Sequence, residues 1–189
     1  NELALGGLVT SGLGNQAPEA GEAWLIYTHE PFAGRAFDLL DPDSERMLVI
    51  YPNQADSMGG DILRFGDINN DGYDELFYGA PTYDVTGTDS IVRTDAGLLA
   101  ILFGNETGLP NRNGMIVLPS SFSDDLNARY ILGADSDDEM AYGLAIYDFD
   151  GDSYRDVAPN GMRGDGPDNN RLNAGEIYIL NGTLFSTMP

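Results

Sequence analysis

The sequence predicts an all-β chain of stacked, similar blades, about two and a half repeats long. Three observations point there. An Asp-rich nonapeptide occurs twice, as Asp67-Ile-Asn-Asn-Asp-Gly-Tyr-Asp-Glu75 and, eighty-one residues on, as Asp148-Phe-Asp-Gly-Asp-Ser-Tyr-Arg-Asp156. The rest of the chain reads as short apolar runs bounded by Gly, Pro, Asn and Asp, with no convincing amphipathic helix. A glycine-led run rich in Leu, Ile, Tyr and Phe closes each unit. Units of this size cannot bury both faces of a sheet alone, so they stack.

In chain order, Glu2-Leu-Ala-Leu-Gly-Gly7 leads to Ala20-Gly-Glu-Ala-Trp-Leu-Ile-Tyr27. The same succession follows each nonapeptide. Glu75-Leu-Phe-Tyr-Gly-Ala-Pro81 leads to Ala96-Gly-Leu-Leu-Ala-Ile-Leu-Phe103, and Asp156-Val-Ala-Pro-Asn-Gly161 to Ala174-Gly-Glu-Ile-Tyr-Ile-Leu180. Upstream, Ile50-Tyr-Pro-Asn-Gln-Ala-Asp56 corresponds to Ile131-Leu-Gly-Ala-Asp-Ser-Asp137, and glycine-bearing strands over 60–65 and 143–147 enter the two loops. Residues 1–30 are therefore expected to be the C-terminal part of a first repeat whose loop positions 1 to 7 would lie before Asn1. Residues 31–110 form a second repeat with loop 67–75, and 111–189 a third with loop 148–156. The connectors over 28–47 and 104–129 vary; the latter holds a short strand, Met115–Leu118, and one helical turn is expected near 123–130.

The nonapeptide has the donor pattern of a cation cage. Positions 1, 3 and 5 of a curled loop converge on one point, and positions 7 and 9 close the far side. Asp67, Asn69, Asp71 and Glu75 supply oxygens in the first copy, and Asp148, Asp150, Asp152 and Asp156 in the second. Tyr73 and Tyr154, at position 7, add a backbone carbonyl. An all-oxygen set of this size suits Ca²⁺, which takes six to eight ligands in flexible geometry, better than strictly octahedral Mg²⁺. Asp- and Asn-rich turns also form without metal, but two copies in one register favour a cage. An EF-hand is excluded: it needs a bidentate Glu at position 12, where this chain has Tyr78 and Pro159.

Charge narrows the partners. Thirty-one acidic residues face nine basic ones, all arginine, for a formal net charge of −22. That excess disfavours nucleic acid and anionic membrane, which select basic patches. Bound Ca²⁺ would neutralise part of it, and a salty medium would screen the rest. No cysteine is present, so disulfides and thiolate metal sites do not arise. No apolar run reaches membrane-spanning length.

With these motifs the chain resembles FG-GAP repeats, the blades of integrin α-subunit β-propellers and of many bacterial surface proteins. The motifs that carry the likeness are Asp67-x-Asn-x-Asp-Gly-x-x-Glu75-Leu with Tyr78-Gly-Ala-Pro81, Asp148-x-Asp-x-Asp-x-x-x-Asp156-Val, and the closing glycine-led strands. The resemblance implies an incomplete, open β-propeller, because a closed one has about 4–8 blades. It implies one Ca²⁺ on Asp67, Asn69, Asp71, Glu75 and the Tyr73 carbonyl, and a second on Asp148, Asp150, Asp152, Asp156 and the Tyr154 carbonyl. A partial third site near Glu2 is possible on the same pattern. It further implies an extracellular or cell-surface, non-enzymatic protein that adheres to a protein or glycan ligand. The alternatives are a self-assembling fibre or surface-layer subunit completed by further copies, and an ancillary domain of a secreted enzyme. Two departures stand out. Ser153 occupies position 6, where glycine and a left-handed backbone are expected, and Gly-Ala-Pro becomes Ala158-Pro-Asn in the last repeat.

The remaining features are weaker. His29 is the sole histidine and reads as an ordinary strand-end residue, so no nucleophilic triad can be assembled. Arg163-Gly164-Asp165 spells an integrin-binding tripeptide but sits in a Gly- and Asp-rich loop where chance is the better explanation. Asn105-Glu-Thr107 and Asn181-Gly-Thr183 fit the glycosylation sequon, and equally fit turns. Trp24, Tyr27, Phe103 and Tyr178 are expected to pack between blades.

Overall fold

A computed structural model describes residues 2–27, 36–41, 46–87, 90–109, 114–118 and 127–187. His29 and most of the segment expected as a helical turn lie outside them. The described end of that segment, Ala128–Tyr130, is extended rather than helical: Arg129 and Tyr130 pair with Ile101 and Ala100 of a neighbouring strand. Backbone pairing there outweighs the weak local helical preference.

The strands in chain order are β1 (Glu2–Gly7), β2 (Glu22–Tyr27), β3 (Met47–Pro52), β4 (Ile62–Gly66), β5 (Glu75–Ala80), β6 (Val85–Thr86), β7 (Val92–Arg93), β8 (Leu98–Leu102), β9 (Met115–Leu118), β10 (Ala128–Leu132), β11 (Met140–Tyr147), β12 (Asp156–Gly161) and β13 (Glu176–Ile177). Among the described residues the only helical pieces are 3₁₀ turns at Leu13–Asn15, Pro167–Asn169 and Gly182–Leu184. The strands make three successive sheets, β1-β2-β3-β9, β4-β5-β8-β10 and β11-β12-β13, plus the small hairpin β6-β7. Among the described residues no sheet closes into a barrel, and the architecture is that of consecutive blades in an open propeller.

Pairing within the blades is antiparallel, with Leu5 opposite Trp24, Leu76 opposite Leu102 and Val157 opposite Ile146. The exception is β9, which joins the outer edge of the first sheet parallel to β3. It comes from the connector between β8 and β10, both in the second sheet. The chain therefore leaves the second blade, pairs with the first, and returns. By sequence period β3 and β10 are counterparts, and each forms the last strand of the blade before its own loop. The sheets are thus offset by one strand from the 81-residue period.

The strand alternation explains why the blades stack. On the middle blade Leu76, Tyr78, Leu98, Ala100 and Leu102 face a core shared with Ala23, Leu25, Leu48 and Ile50 of the first blade. The intervening Phe77, Leu99 and Ile101 face a second core with Met140, Ala141 and Val157 of the third. Period-2 alternation normally places one face in water. Here both faces are apolar because both are covered, so β5 and β8 read as continuous hydrophobic runs. Trp24 and Phe103 are buried, and Tyr27 and Tyr178 pack against the two cores.

Candidate metal centre

Each Asp-rich loop joins the first and second strands of a blade, β4 to β5 and β11 to β12. Position 9 begins the second strand in both, so Glu75 and Asp156 are buried at its root. The loops hold the same internal hydrogen bonds. The N–H at position 2 donates to the position-9 carboxylate, Ile68 to Glu75 at 2.9 Å and Phe149 to Asp156 at 2.8 Å. The N–H at position 6 donates to position 1, Gly72 to Asp67 and Ser153 to Asp148, both at 3.0 Å. The N–H at position 7 donates to position 5, Tyr73 to Asp71 at 2.8 Å and Tyr154 to Asp152 at 2.9 Å. Positions 4 and 6 are left-handed in both copies, with φ of 60° and 90° at Asn70 and Gly72, and 82° and 75° at Gly151 and Ser153. Two alternate left-handed residues curl the backbone tightly enough to point successive donors inward.

In the second loop Asp148, Asp150 and Asp156 each bring an oxygen to within 4.8 Å of the others. Asp152, at position 5, instead has one oxygen engaged by the Tyr154 N–H. In the first loop the carboxylates are less closely gathered, and Asn69 and Asp71 are hydrogen-bonded to each other at 3.0 Å. That loop carries the sharper electrostatic signature. Asp67 Oδ1 and Glu75 Oε1 are buried without a hydrogen-bond partner. Burial pushes the Glu75 carboxyl up to about 7, the charges of Asp71 and Asp67 add to it, and the N–H groups of Ile68 and Gly104 pull the other way. A buried acceptor left unpaired is costly. Orphaned, mutually repelling hard oxygens are the donor set a divalent cation satisfies. Asn1 and the Glu2 side chain lie outside the described residues, and so does the partial third site there.

Some partners of these loops were not evident from the loops themselves. Gly182 N–H donates to Asp156 Oδ1 at 2.7 Å. Gly104 occupies the equivalent place beside Glu75, near enough for its N–H to draw the carboxyl's pKa down, but without a hydrogen bond to Oε1. Both must be glycine: a Cβ on Gly104 would run into the Asp74 carbonyl, and one on Gly182 would sit 2.6 Å from that of Arg155. Their signal was a repeated seven-residue spacing, Gly97 to Gly104 and Gly175 to Gly182. Asn181, noted in the sequence only as a sequon, donates to Asp150 Oδ2 at 2.7 Å while its own Oδ1 accepts the Thr183 N–H. Asn105 makes the matching turn to Thr107. The Arg163-Gly-Asp165 tripeptide is engaged locally. Arg163 pairs with Glu139 at 3.0 Å and Asp165 accepts the Asn173 N–H.

Residues 59–102 match the family model of the FG-GAP repeat. The match runs from Gly59, just before β4, through the first Asp-rich loop to the end of β8. No curated protein matches the chain. Among the described residues no helix is long and apolar enough to cross a membrane. Blade, loop and matched repeat coincide, and residues 59–102 are similar to an FG-GAP repeat.

Proposed function

We propose that the chain is a Ca²⁺-stabilised segment of an extracellular β-propeller that binds a protein or glycan at a cell surface and performs no catalysis. The observation that carries this reading is the orphaned, buried pair Asp67 Oδ1 and Glu75 Oε1 inside a loop whose twin gathers three carboxylates. Asp67, Asn69, Asp71, Glu75 and the Tyr73 carbonyl would hold one ion. Asp148, Asp150, Asp152, Asp156 and the Tyr154 carbonyl would hold the other. The ion supplies positive charge and a multi-oxygen anchor, which ties the first strand of a blade to the second. The family match supports a binding module rather than an enzyme. The carboxylate clusters with regular spacing are absorbed by the loops, and His29 has no second histidine to work with.

The test is thermal unfolding of the full chain in chelator, in Mg²⁺ and in Ca²⁺. Free Ca²⁺ at about 100 times the dissociation constant adds about 2.7 kcal/mol per site, which raises Tm by about 5–10 °C per site in a chain of this size. Equal melting in all three conditions would sink the metal reading.

A further inference from the structure

A cavity of about 190 Å³ lies between the first and second blades, beside the first Asp-rich loop. Its walls come from β2, the end of β4, residues 72–74 of the loop, and the turn over 104–109 that follows β8. Leu25 and Leu109 form a buried floor, 2 % and 7 % exposed. Both belong to the core that the first two blades share, and Tyr27 packs against it, so two blades build the site. The turn is held by its own hydrogen bonds. Gly108 N–H donates to the Asn105 carbonyl, and Thr107 N–H to Asn105 Oδ1, both at 2.8 Å.

The lining has the chemistry that receives an organic cation. Tyr27, Phe65 and Tyr73 bring aromatic rings to it, and Phe65 and Tyr73 are 37 % and 42 % exposed at its rim. The charged residue of the lining is Asp74, and no basic residue accompanies it there. Among the described residues its exposed carboxylate makes no hydrogen bond or ion pair. Position 8 of the other loop provides the contrast. Arg155 stands there, and its Nη1 lies 3.4 Å from where a Cβ on Gly66, in the preceding blade, would be. Position 8 thus faces the preceding blade in both loops. One loop brings its own guanidinium to that place, and the other brings a carboxylate among aromatic rings.

We propose that this cavity binds the guanidinium of an arginine side chain presented by a protein partner. A cation over aromatic faces is attracted by the ring quadrupoles, and a planar guanidinium stacks on a ring while it forks a carboxylate. Size selects the occupant. Sites for drug-sized ligands occupy about 300–1,000 Å³, so this one holds a single side chain rather than an oligosaccharide. Charge agrees, since a chain carrying −22 attracts basic partners. The proposal deepens the protein-binding part of the reading above and rests on it, without using the metal.

The probe is the capped tripeptide acetyl-Gly-Arg-Gly-amide, titrated into the isotope-labelled full chain in Ca²⁺ and followed by NMR shifts of backbone amides. Salt at about 0.15 M screens the long-range attraction of the acidic surface. Saturable shifts at Gly72, Gly104 and Gly108 are expected, with a dissociation constant on the order of 1 mM. The same peptide with neutral citrulline in place of arginine should bind about tenfold more weakly. Asp74→Asn and Phe65→Leu should each weaken arginine binding by about twofold to fivefold. Neither residue is a proposed metal ligand, and unchanged melting shows that the variants fold. Absence of saturable shifts at these glycines, equal binding of the citrulline peptide, or indifference to both substitutions overturns the proposal. So does tighter binding of tetramethylammonium, which would make a free quaternary amine the ligand, or of N-acetylglucosamine, which would make it a sugar. Arginine binding without a melting response to Ca²⁺ removes the metal reading alone. A melting response without arginine binding removes this proposal and leaves the reading above standing.

Discussion

The side-chain amide of Asn70 donates to the backbone carbonyl of Ser153 at 3.3 Å, joining the two Asp-rich loops across the boundary between blades. Both residues are left-handed, with φ of 60° and 75°. The bridge uses position 4 of one loop and position 6 of the next, so it couples loop shapes rather than their ligands. Asn70→Gly preserves the backbone and removes the bridge. It is expected to cost about 0.5–1 kcal/mol, read as a Tm decrease of about 2–4 °C at most.

Glu75→Gln tests the first loop directly. The substitution removes a charge buried against Asp71 and Asp67, and on the proposed reading it would also remove an oxygen ligand. The Ca²⁺-induced gain in Tm should fall by about half, with only the second loop still responding. In chelator the variant should melt no lower than the parent, because it no longer buries a carboxylate against the charges of Asp71 and Asp67. Calorimetric titration should count one site instead of two.

Ser153→Gly should stabilise the chain. A left-handed backbone costs a β-carbon-bearing residue about 1–2 kcal/mol, and glycine returns part of that gain through the flexibility of the unfolded chain. The expected net is about 0.5–1 kcal/mol by denaturant unfolding, with Asp148 still accepting the position-6 N–H.

Asp138 predicts a pH dependence away from the loops. Burial pushes its carboxyl from the usual 3.8 up to about 6, and Asp135, Glu176, Asp165 and Asp137 all press in the same direction. Between these values the unfolded chain has released the proton and the folded chain still holds it. Raising the pH from about 4 to 6 therefore lowers stability, by up to about 1.4 kcal/mol per unit for this group. Below that window its effect vanishes, and above it the penalty is constant. Asp138→Asn should remove that share of the slope in chelator, measured as the difference between parent and variant unfolding curves.

Gly97→Ala and Gly175→Ala separate backbone strain from blade contact. Both positions are left-handed, so each pays for conformation. Only Gly97 also faces Met140 backbone at contact distance. Gly97→Ala should lose about 2–4 kcal/mol, and Gly175→Ala about 1 kcal/mol.

The shape of the two Asp-rich loops was legible because the contacts that make it are local. Positions 1 to 9 of one loop converge through short-range hydrogen bonds that residue type and spacing specify, such as Ser153 to Asp148. Gly182 and Asn181 were not legible, because they reach Asp156 and Asp150 from a strand end twenty-six and thirty-one residues away. The burial of Glu75 likewise depends on neighbours outside the loop.

By itself the sequence determined the repeat, the short strands and the donor pattern of both loops, since each depends on residues near one another in the chain. It also determined that β5 and β8 are apolar on both faces, although not what covers each face. Only the tertiary structure decided that β9 leaves its own blade to pair in parallel with β3, that β3 and β10 close the sheets preceding their loops, and that Ile177 is bare where Leu99 is buried. Those outcomes depend on which distant edge a strand meets. Period-2 alternation specifies a strand's faces, but hydrogen-bonding edges carry no side-chain label, so their partners are chosen by packing.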